Sequence, residues 1–131
     1  MLELYTVTPQ GRDLTPVVAS KPVVSRARIE AELAYARATR KHGKEGRARV
    51  CARRAAGWAI AAHFPNSRQL GAYSLLHWLE SNTEVSQDLR SAAGRLTEQV
   101  TEDHELPHSE DPLKDAELIV VGLLGDDAAS N

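Results

Sequence analysis

Apolar residues recur at helical spacing along most of this chain. Ile29, Leu33 and Ala36 fall at i, i+4 and i+7, the buried face of a helix predicted over 26–42. Ser25 is placed to cap it, and Gly43 supplies the left-handed residue that commonly ends a helix. A second helix is predicted over 45–63. Its stripe of Cys51, Ala55, Trp58 and Ala62, flanked by Ala48, Ala52 and Ala59, is nearly all small. Such a helix can approach a neighbour closely, with Trp58 filling the remaining gap. A third helix, over 68–80 with Ser67 as its cap, is apolar on most sides through Leu70, Tyr73, Leu75, Leu76, Trp78 and Leu79. That pattern predicts a central helix or one in a dimer interface.

The fourth period is the cleanest: Val85, Leu89, Ala92, Leu96 and Val100 predict a helix over 84–103, capped by Thr83 and ended by Leu106-Pro107. Asp111-Pro112 opens a fifth, an N-cap followed by proline at the first helical position, and Gly125 closes it. Pro9, Gly11, Pro16 and Pro22 exclude a long helix near the start, although Leu2–Val7 could form a short edge strand. The expected fold is all-α: an antiparallel four- to five-helix bundle over 25–125, preceded by an extended N-terminal arm at 1–24 and followed by a frayed tail at 126–131.

Composition agrees with one globular domain of 131 residues, 42% of them hydrophobic. The single cysteine, Cys51, excludes an internal disulfide framework, and no segment approaches the length of a membrane span. A soluble, cytoplasmic protein with no membrane contact is the expectation.

Charge changes the picture more. Residues 21–54 hold eleven Lys and Arg against three acids, a balance of +8. Residues 55–131 hold four basic and thirteen acidic residues, a balance of -9. Either the basic half meets an anionic partner, or the halves neutralise each other across the fold; we favour the second. The densest basic run is Arg40, Lys41, Lys44, Arg47, Arg49, Arg53 and Arg54. Of these, Arg40, Lys41, Lys44, Arg47 and Arg54 form the candidate ligand-binding patch, able to neutralise phosphates without reading sequence. Tyr35 and Trp58 are expected to be buried, which leaves no display of aromatics for base stacking.

Candidate chemistry is sparse. His104 and His108 are four apart with Glu105, Glu110 and Asp111 nearby, but Pro107 separates them from a common helix face. His63 and His77 are expected at helix ends. No catalytic residue, metal site or cofactor is assigned.

The stretch Glu45–Phe64, EGRARVCARRAAGWAIAAHF, resembles the second helix of HEPN (higher-eukaryote and prokaryote nucleotide-binding) domains. The segment DPLKDAELIVVGLL from Asp111 is similar to that family's closing helix. The resemblance implies a compact helical bundle, a homodimer, and RNA or nucleotide metabolism beside a nucleotidyltransferase-type partner. The family's nuclease branch carries Arg, four to six residues, then His, late in the bundle. Only Arg37 and His42 have that spacing here, and they stand in the first helix. The expected function is therefore a non-catalytic HEPN-like bundle that dimerises and binds a protein or a nucleotide or RNA partner. The alternatives are a metal-independent ribonuclease using Arg37 and His42, and a non-specific nucleic-acid binder working through the basic patch.

Overall fold

A computed structural model describes residues 24–67, 70–99 and 105–125. Among them are five α-helices, one short 3₁₀ turn and no strand. The helices are α1 (Arg26–Lys41), α2 (Glu45–His63), α3 (Ala72–Glu80), α4 (Gln87–Leu96) and α5 (Pro112–Leu124), with the turn at Pro65–Ser67. The all-α bundle expected from the periodicity is the fold observed. Residues 1–23 of the expected arm and the tail at 126–131 lie outside the described residues. No helix among the described residues is long and apolar enough to cross a membrane.

Local signals set α1, α2 and α5. The Ser25 hydroxyl accepts the Arg28 N–H at 3.1 Å. Gly43 takes φ 76, where its N–H reaches Arg40 O and the Lys44 N–H reaches Thr39 O, both at 2.9 Å. These bonds occupy the last carbonyls of α1 and fold the chain straight back into α2. Asp111 caps α5 through Leu113 N, with Pro112 at its first turn, and Gly125 closes it at φ 86.

The starts of α3 and α4 differ from expectation. Ser67 does not cap α3: its hydroxyl donates to Phe64 O at 2.7 Å inside the 3₁₀ turn, and Gly71 is the N-cap. Thr83 does not cap α4 either. Asn82 accepts the Glu84 N–H through its side chain and bends the chain, so Ser86 takes the cap and α4 begins at Gln87. The helix is also shorter than the 84–103 expected, because the Thr97 hydroxyl donates back to Gly94 O at 2.7 Å and the chain leaves helix there. Val100 lies outside the described residues.

α2 is the middle of the bundle, packed against α1, α3 and α5. Its fully buried positions include Ala48, Cys51, Ala52, Ala55, Ala56, Ala59 and Ile60. Small side chains bring the axes together, most tightly where a Cβ on Gly57 would lie 3.2 Å from Ala72 Cα of α3. α4 and α5 meet in a similar way, since a Cβ on Gly122 would stand 2.7 Å from Leu89 Cδ2. α3 is not central. It buries Leu75, Leu76 and Leu79 against the bundle and leaves Tyr73 and Trp78 exposed.

Candidate functional site

The five patch residues divide into two sets. Arg40 is fully engaged: its guanidinium makes paired hydrogen bonds to Glu45 at 2.9 and 2.7 Å and to Asp111 at 2.8 Å twice. One side chain thus ties the end of α1 to the starts of α2 and α5. Arg54 donates to Glu32 at 2.9 Å. Lys41, Lys44 and Arg47 remain exposed at the α1–α2 corner, with no carboxylate partner among the described residues. Arg37–Glu117 at 2.6 Å joins the basic and acidic halves as Arg40–Asp111 does, whereas Arg95–Asp115 at 2.8 Å lies within the acidic half. Among the described residues, Arg37 and Arg40 are the basic-half residues that pair with the acidic half.

The Arg40 bonds have a pH consequence. They hold the Asp111 carboxyl below its ordinary value of 3.8, helped by the Leu113 N–H and opposed by partial burial. A carboxyl depressed in the folded state stabilises the fold above its unfolded pKa, and that contribution disappears as pH falls through the folded value. The melting temperature of wild type is expected to exceed that of Asp111→Asn at pH 6, and the gap should narrow as the pH falls below 3.8 toward the lowered folded value. Asparagine keeps the helix cap, so scanning calorimetry of the pair isolates the charge. A gap of constant size from pH 6 to 3 would show that the ion pair contributes nothing.

The motifs that suggested chemistry are dispersed. Arg37 is held by Glu117, whereas His42 is exposed and caps α1 with its backbone. His104 is outside the described residues. His108 places Nε2 3.3 Å from Arg95 O at the end of α4, and its buried Nδ1 lies 3.6 Å from Glu110 without a hydrogen bond. His63 packs edge-on to Phe64, and His77 lies 3.7 Å from Glu80. Burial, followed by Glu32, pushes the Cys51 thiol up, which disfavours the thiolate. Among the described residues, no group of three His, Cys, Asp or Glu side chains could hold a metal ion.

What the fold does assemble is a groove between α2 and α3, lined also by Val24 at the entrance to α1. Its volume is about 460 Å³, within the range of pockets that take ligands or partner side chains. Gly57, Ala61 and Leu75 form its floor, while Trp58 and Tyr73 form its walls. Val50, Leu70 and Tyr73 are 38, 40 and 44% exposed, high for a cluster of large apolar side chains. Leu70 also lines a second hollow beside Phe64 and Trp78, which extends the apolar surface along the connection.

Two arginines stand on the aromatic walls. Arg28 lies 5.2 Å from the Trp58 ring centroid and Arg53 lies 5.1 Å from that of Tyr73, close enough for cation–π attraction. Neither has a carboxylate partner among the described residues. Trp58 is therefore half-buried rather than a core plug, and Tyr35 is 53% exposed rather than buried. α2 is amphipathic in an unusual sense: its alanine face goes to α1 and α5, where two helices need close approach. Its other face, with Val50, Arg53, Gly57, Trp58 and Ala61, is left for the groove. That second stripe, at i, i+3, i+7, i+8 and i+11, was the sequence signal for it.

Compared with protein-family models, with curated proteins and with solved structures, the chain finds no match in any of the three.

Proposed function

We propose that the chain is a non-catalytic helical bundle, of the kind the HEPN resemblance implies, that binds a partner protein along the α2–α3 groove. The observation that carries this reading is the exposed Val50, Leu70 and Tyr73 around a small-residue floor, with arginines at its walls. Aromatic and arginine side chains in a desolvated patch are the groups that dominate protein–protein affinity. The homodimer and the nucleotidyltransferase-type partner implied by the resemblance belong to the same proposal.

Site-specific photocrosslinking in cells tests it. With benzoylphenylalanine at Tyr73, a larger aromatic at a position 44% exposed, one discrete protein adduct is expected and can be identified by mass spectrometry. The same group at exposed Glu98 should give none. An adduct of two 14.3 kDa chains would place a second copy in the groove. Identical patterns from both positions, or no adduct, would remove the reading.

A second reading, binding of RNA or a nucleotide, has its own support in Lys41, Lys44 and Arg47, which leave positive charge at the α1–α2 corner. The crosslinker at Arg47 addresses it in the same experiment: a nuclease-sensitive adduct supports nucleic-acid binding, and its absence counts against it.

A further inference from the structure

We infer that the groove is shaped for an acidic amphipathic helix of about three turns, presented by a partner protein. The inference rests on the binding reading above and adds the chemistry of the occupant.

Length is the first argument. The groove face of α2 runs from Val50 to Ala61, twelve residues, whose ends lie about 16 Å apart at 1.5 Å rise per residue. That matches three turns of a second helix lying alongside. The cross-section is the second. At Gly57 the α2 and α3 backbones come into contact through Ala72, and Trp58 and Tyr73 line the groove beside that contact. A volume of about 460 Å³ holds a row of apolar side chains but not a helix backbone. The occupant thus offers a stripe at i, i+3 or i+4, and i+7, with its backbone hydrogen bonds satisfied internally outside the groove.

Charge decides the sign of its flanks. Arg26, Arg37, Arg40, Arg54 and Arg95 each sit on a carboxylate. Arg28 and Arg53 do not, and each lies on an aromatic wall instead. A guanidinium stacked on a ring keeps the N–H groups of its edge available, and its planar fork matches a carboxylate. Flanking Asp or Glu on the occupant would give Arg53, which lines the groove, and Arg28, beside its Trp58 wall, the carboxylate partners that they lack among the described residues.

A display library of random 16-residue peptides, selected on the full chain and counter-selected on Val50→Glu, tests this. Val50 is 38% exposed, so its replacement should leave the melting temperature nearly unchanged, which calorimetry checks. Enriched peptides are expected to carry an apolar helical stripe flanked by Asp and Glu. Synthetic versions should lose about tenfold or more in affinity on Val50→Glu, because a carboxylate would face the apolar stripe. They should lose about three- to tenfold on Arg28→Gln/Arg53→Gln, and weaken as salt rises.

Groove-dependent peptides that are neutral, basic or proline-rich would overturn the acidic helix and leave the binding reading standing. Failure to enrich any Val50-sensitive peptide would overturn this inference, and the crosslink from Tyr73 separately decides the binding reading. Displacement of bound peptide by single-stranded RNA or ATP, dependent on Arg53, would assign the groove to a nucleotide. A homodimer dissociated by Val50→Glu, seen by light scattering, would assign it to a second copy. Either result overturns the proposal.

Discussion

Replacing Arg95 with leucine is expected to cost up to about 3–5 kcal/mol of stability, the loss when one partner of a buried ion pair is removed, reduced by solvent at Arg95, whose side chain is 26% exposed. Asp115 has only 6% of its side chain exposed, and both its oxygens accept from Arg95, at 3.0 and 2.8 Å. The pair joins α4 to α5, and the Asp115 hydrogen bonds raise the Arg95 pKa against the opposing effect of burial. Without Arg95 the carboxylate stays buried and unpaired. The double variant Arg95→Leu/Asp115→Leu should recover much of the loss, because no isolated charge then remains. Urea unfolding of wild type, both single variants and the double variant measures the coupling. A single-variant loss under about 1 kcal/mol would show that water reaches Asp115 freely.

Leu76→Ala is expected to cost about 2–5 kcal/mol, a fall in melting temperature of roughly 10 °C or more. Leu76 is fully buried on α3, between α2 and α4. The neighbouring helix cannot close the space, since Gly57 and Ala72 already bring the α2 and α3 backbones near their contact limit. Leu70→Ala, at a 40% exposed position, provides the contrast and should change stability by under about 0.5 kcal/mol. Equal melting temperatures for Leu76→Ala and Leu70→Ala would mean that α3 is not seated as described.

Legibility followed the range of each signal. Ser25, Gly43, Asp111-Pro112 and Gly125 act within a few residues, and the three helices they bound were readable in the sequence. Ser67 and Thr83 were plausible caps by residue type. The choice between them and Gly71 or Ser86 turned on competing local hydrogen bonds, those of Ser67 to Phe64 and of Glu84 to Asn82, which periodicity does not record. The basic run was readable as charge but not as use. Arg40 meets Asp111 from 71 positions away, so only the packing of α1 on α5 reveals that it is committed. The groove was least readable, because it depends on where α3 crosses α2. A stripe containing both Gly57 and Trp58 looks equally like a core and like a wall until that crossing is known.

The place of α2 has a consequence for synthesis. This helix is complete at His63, yet one of its main covers, α5, ends only at Leu124. At about 5–20 residues per second, the ribosome leaves that alanine face partly bare for roughly 3 to 12 seconds. The hairpin of α1 and α2 can form early because its contacts are local. α5 then seals α2, and the Arg40 side chain receives Asp111 at the moment of closure.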